Sequence, residues 1–188
     1  MKKGITYPFL IVIFLLTLSF KQYDHNTLLW KADRPLTWDD FNGMPEKRFA
    51  AASTHYDILK HIHKDDDKNA TVKIEAVFFR HESWKKKEWI NDEVLAHEQK
   101  HFDIVELYAR KLRKALKETT FKNFNELEVK LGTLYDKFDK EMDAYQDKYD
   151  EESDGSMNGD QQRVWNKKIA KEISELDPYK ETAVKIKF

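Results

Sequence analysis

The apolar positions fall into three kinds of pattern along the chain. Over residues 26–31, Leu28, Leu29 and Trp30 predict a short strand, broken by Arg34-Pro35. Thr37 is placed to cap a helical turn through Trp38, Asp39, Asp40 and Phe41, with Asp40 at the third helical position. From 49 to 63 the chain reads as strand: Tyr56, Ile58, Lys60 and Ile62 alternate with Asp57, Leu59 and His61, as in a sheet wetted on one face. A polar turn over 64–69 follows. Residues 71–80 then alternate more cleanly, with Val72, Ile74, Ala76 and Phe78 on one face, so the two runs predict a hairpin.

The period then changes from two to between three and four. Asn91 or Asp92 caps a helix reaching about Lys117, with an apolar stripe of Leu95, Phe102, Val105, Ala109, Leu112 and Leu116. His97, His101, Ile104 and Tyr108 form a row beside that stripe. A second helix, with Asn123 and Glu126 as a capping box, carries Phe124, Leu127, Leu131, Leu134, Phe138, Met142, Tyr145 and Tyr149 inward to about Glu152. After a loop at 154–159, Asp160 is expected to cap a third helix with Trp165, Ile169, Ile173 and Leu176 inward, ended by Asp177-Pro178. Thr182, Val184, Ile186 and Phe188 alternate with Ala183, Lys185 and Lys187 and predict a final strand returning to the sheet. No repeat or low-complexity linker divides the chain. The expected architecture is one α+β domain, a small antiparallel sheet packed with long helices.

Composition changes this picture little. The 188 residues include 36% charged residues that nearly cancel to a net charge of −1, and twelve Phe, eight Tyr and five Trp supply a core. Without a clustered basic surface, a nucleic-acid partner is not expected. The N-terminus is different in kind. Lys2-Lys3 precede an apolar run over 8–16, and Thr17-Leu18-Ser19 offers small residues for cleavage. Residues 1–19 therefore read as a signal peptide, with an uncleaved membrane anchor as the alternative, and 20–188 as the exported, periplasmic or secreted domain. Cysteine is absent, so stability must come from packing, or from packing with a metal.

The first long helix contains His97-Glu98-Gln99-Lys100-His101, an H-E-x-x-H pattern. Four-residue spacing puts both imidazoles on one helix face, where they can share a Zn2+ ion, and Glu98 stands where it can take a proton from a water on that ion. A catalytic zinc needs a third protein ligand. Glu152, one turn past the Tyr145–Tyr149 stripe, and Asp154 in the following loop are the carboxylate candidates; His55, His61, His63 and His81 are the remaining imidazoles. Asp150, Glu152, Asp154, Gly155, Met157, Asn158 and Gln161 also approximate a calcium loop over 150–161, with Gly155 at the sixth position. Two positions depart from that pattern: Glu152 is bulky at the third and Gln161 replaces the bidentate Glu at the twelfth.

Further landmarks accompany the motif: Leu36-Thr37-Trp38-Asp39-Asp40-Phe41, Ala51-Ala52-Ser53-Thr54, Ser83-Trp84, His101-Phe102-Asp103-Ile104, Tyr108-Ala109-Arg110, Tyr149-Asp150, and Gln162 with Trp165-Asn166. With these, the chain resembles a bacterial family of exported zinc-dependent protease-like proteins, known largely as a domain of unknown function. The resemblance covers about residues 36–166. It implies a zincin-like fold, zinc at His97 and His101, Glu98 as general base, and a protein or peptide substrate. In the family pattern Tyr-Asp is followed by Thr, a polar residue and a His suited to be a third ligand; here Gly155 falls at that place. The expected function is therefore a zinc metallopeptidase, and the alternative is a non-catalytic binding protein with a degenerate metal site. Tyr108, Tyr149 and Arg110 are candidate donors to an oxyanion.

Overall fold

The computed structural model describes residues 25–188; the segment read as a signal peptide lies outside them. Its regular elements are β1 (Thr27–Leu29), β2 (Ala52–Ser53), β3 (Tyr56–Lys64), β4 (Asn69–Phe79), β5 (Trp84–Lys85), α1 (Asp92–Glu118), α2 (Phe124–Ser153), α3 (Gly159–Glu175) and β6 (Ala183–Lys187). This is an α+β fold of three helices and small antiparallel sheets. No described helix is long and apolar enough to cross a membrane.

The sheet is built on β4. The expected hairpin pairs β3 with β4 from Tyr56 opposite Phe78 to Lys64 opposite Ala70. On the other edge of β4, β1 covers Val77 to Phe79 and β6 covers Asn69 to Lys73. The two short strands lie end to end. The gap between them is bridged by Ile74 N–H donating to Thr182 O and Trp30 N–H donating to Ala76 O. Strands from opposite ends of the sequence therefore satisfy one backbone edge.

Residues 49–55 do not extend β3 as the alternation suggested. Ala52–Ser53 turns aside to pair with Trp84–Lys85 in a separate two-stranded ribbon, and Phe49 projects into solvent. A run of small residues, Ala50 to Ser53, has little side-chain surface to hold it to the main sheet. The cap of the third helix also differs. Asn158 Oδ1 accepts from Gln161 N–H at 3.2 Å, and Asp160 sits in the first turn.

Helix α1 is the centre of the molecule. Sheet residues such as Ile74 and Phe78 join α2 and α3 residues such as Leu127, Leu131, Trp165 and Ile169 in one core with it. Every residue from 101 to 110 is buried, including several that are charged. Burial of charge is tolerable only with partners. Asp103 accepts from Trp30 Nε1 at 2.9 Å and Gln99 Nε2 at 2.8 Å. Glu106 accepts from Arg110 Nε at 2.8 Å and from Arg113 at 3.0 and 3.1 Å. Arg113 also donates to Ile74 O on β4 and to Tyr179 O in the turn after α3.

Candidate metal centre

α1 starts with Asn91 Oδ1 accepting from Val94 N–H at 2.9 Å, and this cap sets the phase in which His97 and His101 follow. Both imidazoles are buried and face α2. Their Nε2 atoms are 3.1 Å apart. Asp150 Oδ1, from the last turn of α2, is 3.0 Å from each Nε2. Among the described residues this is the one group of three or more His, Asp or Glu side chains whose ligating atoms converge on a common point.

The other ring nitrogens are held by two glutamines. His97 Nδ1 is 3.0 Å from Gln162 Oε1 on α3, and His101 Nδ1 is 2.7 Å from Gln146 Oε1 on α2. The amide orientations are fixed in turn. Gln162 Nε2 donates to Tyr149 Oη at 2.6 Å and Asn166 Oδ1 at 2.8 Å, and Gln146 Nε2 donates to His101 O at 3.0 Å. A carbonyl oxygen can only accept, so the Nδ1 proton is on each imidazole and the Nε2 lone pair is left toward Asp150. Tyr149 stacks on the His97 ring, 4.7 Å between centroids and 21° from parallel, and its hydroxyl donates to His97 O at 3.3 Å. Burial pushes the Tyr149 phenol upward, so it stays protonated.

Three acceptors facing one point repel one another unless a cation lies between them. Protons partly meet this demand. Burial of His101 opposes its charge, but the Asp150 carboxylate and then the Glu98 charge outweigh it and raise the His101 pKa. For Asp150, desolvation is outweighed by its contacts with His101 and His97, and its pKa lies well below the usual carboxylate range. A divalent metal meets the demand fully. Around a tetrahedral zinc with bonds of about 2.0–2.1 Å the ligand atoms stand about 3.3 Å apart. The observed triangle of 3.0–3.1 Å has only to open by a few tenths of an ångström. The donor set of two imidazoles and a carboxylate is also a zinc set.

Glu98 is buried beside this triangle, and its Oε2 accepts from Thr54 Oγ1 at 2.7 Å. Thr54 follows the β2 ribbon, so the departure of residues 49–55 from β3 is what brings a hydroxyl to Glu98. His97, Glu98, His101 and Asp150 all line an open cleft of about 920 Å³.

The remaining candidates lie elsewhere. Glu152 Oε2 accepts from Trp165 Nε1 at 2.9 Å, away from the imidazoles. Asp154 lines the cleft but serves as the left-handed C-cap of α2, with φ 52°. Neither joins His97 and His101; Asp150 does. The calcium-loop carboxylates thus diverge: Asp150 is at the histidines, Glu152 is at Trp165, and Asp154 caps α2 through its backbone N–H. His55, His61, His63 and His81 are not part of the converging group. Arg110 is committed to Glu106 and Ile173 O, and Tyr108 packs against Tyr145. Gly155 does border the cleft, with φ +54° and nothing within 4 Å of where a Cβ would be.

Helical phase is the signal that singles out Asp150. It lies four residues after Gln146 and one after Tyr149, both buried against α1, whereas Glu152 lies on the far side of the stripe.

A three-helix α+β domain with a His-His-carboxylate triad at the floor of a cleft defines a candidate metalloprotein. The profile of the bacterial family described as "Bacterial protein of unknown function (DUF922)" matches residues 42–159, and the chain belongs to that family. The matched span holds the whole triad and Glu98. Neither the curated proteins nor the solved structures contain a match.

Proposed function

We propose that this protein is an exported zinc-dependent peptidase with a zincin-like arrangement. His97, His101 and Asp150 would hold the metal, and Glu98 would act as general base. The convergence of two Nε2 atoms and one carboxylate oxygen within 3.0–3.1 Å, beside a buried glutamate in an open cleft, carries this reading. Zinc in such a site lowers the pKa of a water to about 7 and polarises a carbonyl oxygen.

The chain's own residues supply the rest. Gln146 and Gln162 keep both imidazoles in the Nε2-ligating tautomer. Thr54 holds Glu98 by one oxygen, so the carboxylate is oriented before substrate arrives. Glu98 then accepts the proton of the attacking water and passes it to the leaving amine. Tyr149 stays neutral and clamps the His97 ring. Export rests on the character of residues 1–19.

Metal content of the purified full chain checks this. About one zinc per chain is expected, lost in His97→Ala. Glu98→Gln should keep the metal and lose peptide hydrolysis by roughly a hundredfold or more. A chain that binds no zinc near neutral pH, or a Glu98→Gln variant as active as wild type, would leave the non-catalytic binding protein as the better reading.

A further inference from the structure

The walls of the cleft differ sharply in chemistry. Of six exposed large hydrophobic residues among those described, three border it: Phe49 at 87% exposure, Trp89 at 45% and Met157 at 69%. Phe49 and Trp89 pack on each other there, with centroids 5.3 Å apart, and Lys86 Nζ lies 4.6 Å from the Trp89 ring centroid. Both are held on backbone that folds away from the main sheet, Phe49 just before the β2 ribbon and Trp89 in the turn after its partner strand. Apolar surface concentrated at one cleft, and not scattered, marks a contact site.

The facing wall is acidic. Asp139, Asp143, Asp147 and Asp150 recur every three or four residues along α2 and so share one helix face; Asp154 follows as its C-cap, and Asp147, Asp150 and Asp154 line the cleft. Like charges at this spacing repel. The last two also lie at the C-terminal end of the helix, where the dipole disfavours anions, and that last turn has no basic residue. No ion pair within 4 Å engages Asp143, Asp147 or Asp154 among the described residues, and at Asp139 burial and then Asp143 outweigh the attraction of Lys60. Tyr56 on β3 lies opposite the row: its phenol is pushed up by burial and then by Asp143, Asp150, Asp147 and Asp139. Counting the cleft lining itself, Glu93, Glu98, Asp147, Asp150 and Asp154 stand against Arg48 alone, and Arg48 is paired with Glu46 at 3.1 Å. Asp150 is answered by the histidines. Asp143, Asp147 and Asp154 have no ion-pair partner among the described residues, and the field of Asp147 and Asp154 is directed into a cleft with an apolar opposite wall.

We infer that the cleft takes a polypeptide segment in which a bulky apolar side chain is flanked by lysines or arginines. The apolar group seats against Phe49 and Trp89, and the cations lie along Asp139, Asp143, Asp147 and Asp154. That the ligand is a polypeptide rests on the peptidase reading; the charge and the apolar anchor rest on the two walls.

Binding can be read without catalysis. The probes are short fluorescent peptides followed by anisotropy, added to metal-free full-length Glu98→Gln protein. One peptide has a central Phe among Lys and Arg, a second replaces Phe by Ala, and a third replaces the cations by Glu. The first should bind at least about tenfold tighter than either other, with an advantage that shrinks as salt is added. Asp143→Lys combined with Asp147→Lys should weaken it about tenfold, and Phe49→Ser should abolish the difference between the Phe and Ala peptides. Equal binding of the acidic and basic peptides, or no effect of the paired Lys substitutions in folded protein, overturns the inference. Selective binding by a chain that never hydrolyses peptide removes the peptidase reading and keeps this one. Hydrolysis with no charge preference does the reverse.

Discussion

Asp150 and His101 share a hydrogen bond whose strength depends on which of them holds the proton. The folded-state pKa of His101 is raised above its ordinary 6.5. A raised pKa contributes stability that is complete below the unfolded value and is lost as pH rises through the folded one. The metal-free protein should therefore lose part of its stability as pH rises above the ordinary imidazole value of 6.5, and Asp150→Asn should flatten that dependence. Urea unfolding of both proteins at a series of pH values in the presence of chelator measures the difference. The converse holds for Asp150, whose depressed pKa adds stability above its unfolded value that is lost only in strong acid. At this scale the sequence is legible where chemistry is local. His97, Glu98 and His101 are fixed by one turn of one helix. Asp150 is about fifty residues away, and its claim over Glu152 is a matter of helix phase against α1, which carboxylate identity does not disclose. Gln146 and Gln162 are harder still, because an amide in a helix announces nothing until the imidazole it faces is known.

The elements themselves were largely readable, because their periods are strong. Apart from the start of β3, which lies at Tyr56 and not at 49, the hairpin of β3 and β4, the long α1 and α2 and the final β6 follow the alternation and the three-to-four spacing within a residue or two. Two things escaped. The β2 ribbon pairs two-residue strands that carry no periodicity, and it is what brings Thr54 to Glu98. Helix α1 looks amphipathic by sequence, yet it is buried all round from 101 to 110 because Asp103, Glu106, Arg110 and Arg113 are paired internally. Of these, Arg113 ties α1 to β4 and to the turn before β6. Arg113→Ala leaves Glu106 short of its bidentate partner and frees Ile74 O, so a loss of about 3–5 kcal/mol is expected. Arg113→Met, which fills the volume but not the bonds, should also be strongly destabilised; denaturant midpoints of the two variants test this.

For the whole molecule, the triad of His97, His101 and Asp150 joins α1 to the C-terminal end of α2, and Gln162 extends the same connection to α3. Each helix is thus fastened to its neighbours through the centre that zinc would occupy. A ligand that binds only the folded state stabilises it by about 4 kcal/mol at a thousandfold excess over Kd. Removing zinc with a chelator should therefore lower the melting temperature by roughly 10 °C in a domain of this size. Adding zinc back should restore it, and calorimetry of His97→Ala should show no response to either treatment. An unchanged melting temperature would separate the metal from the fold.

The absence of cysteine gives this bracing a wider meaning. Where many exported chains are locked once by oxidation and stay locked, this one, on the export and zinc readings proposed above, would be held by an ion that comes and goes with supply. Its lifetime among neighbouring proteases would then track the free zinc around it. In metal-poor surroundings the protein would be cleared rather than stored, so its abundance would serve as a record of the metal history of its compartment.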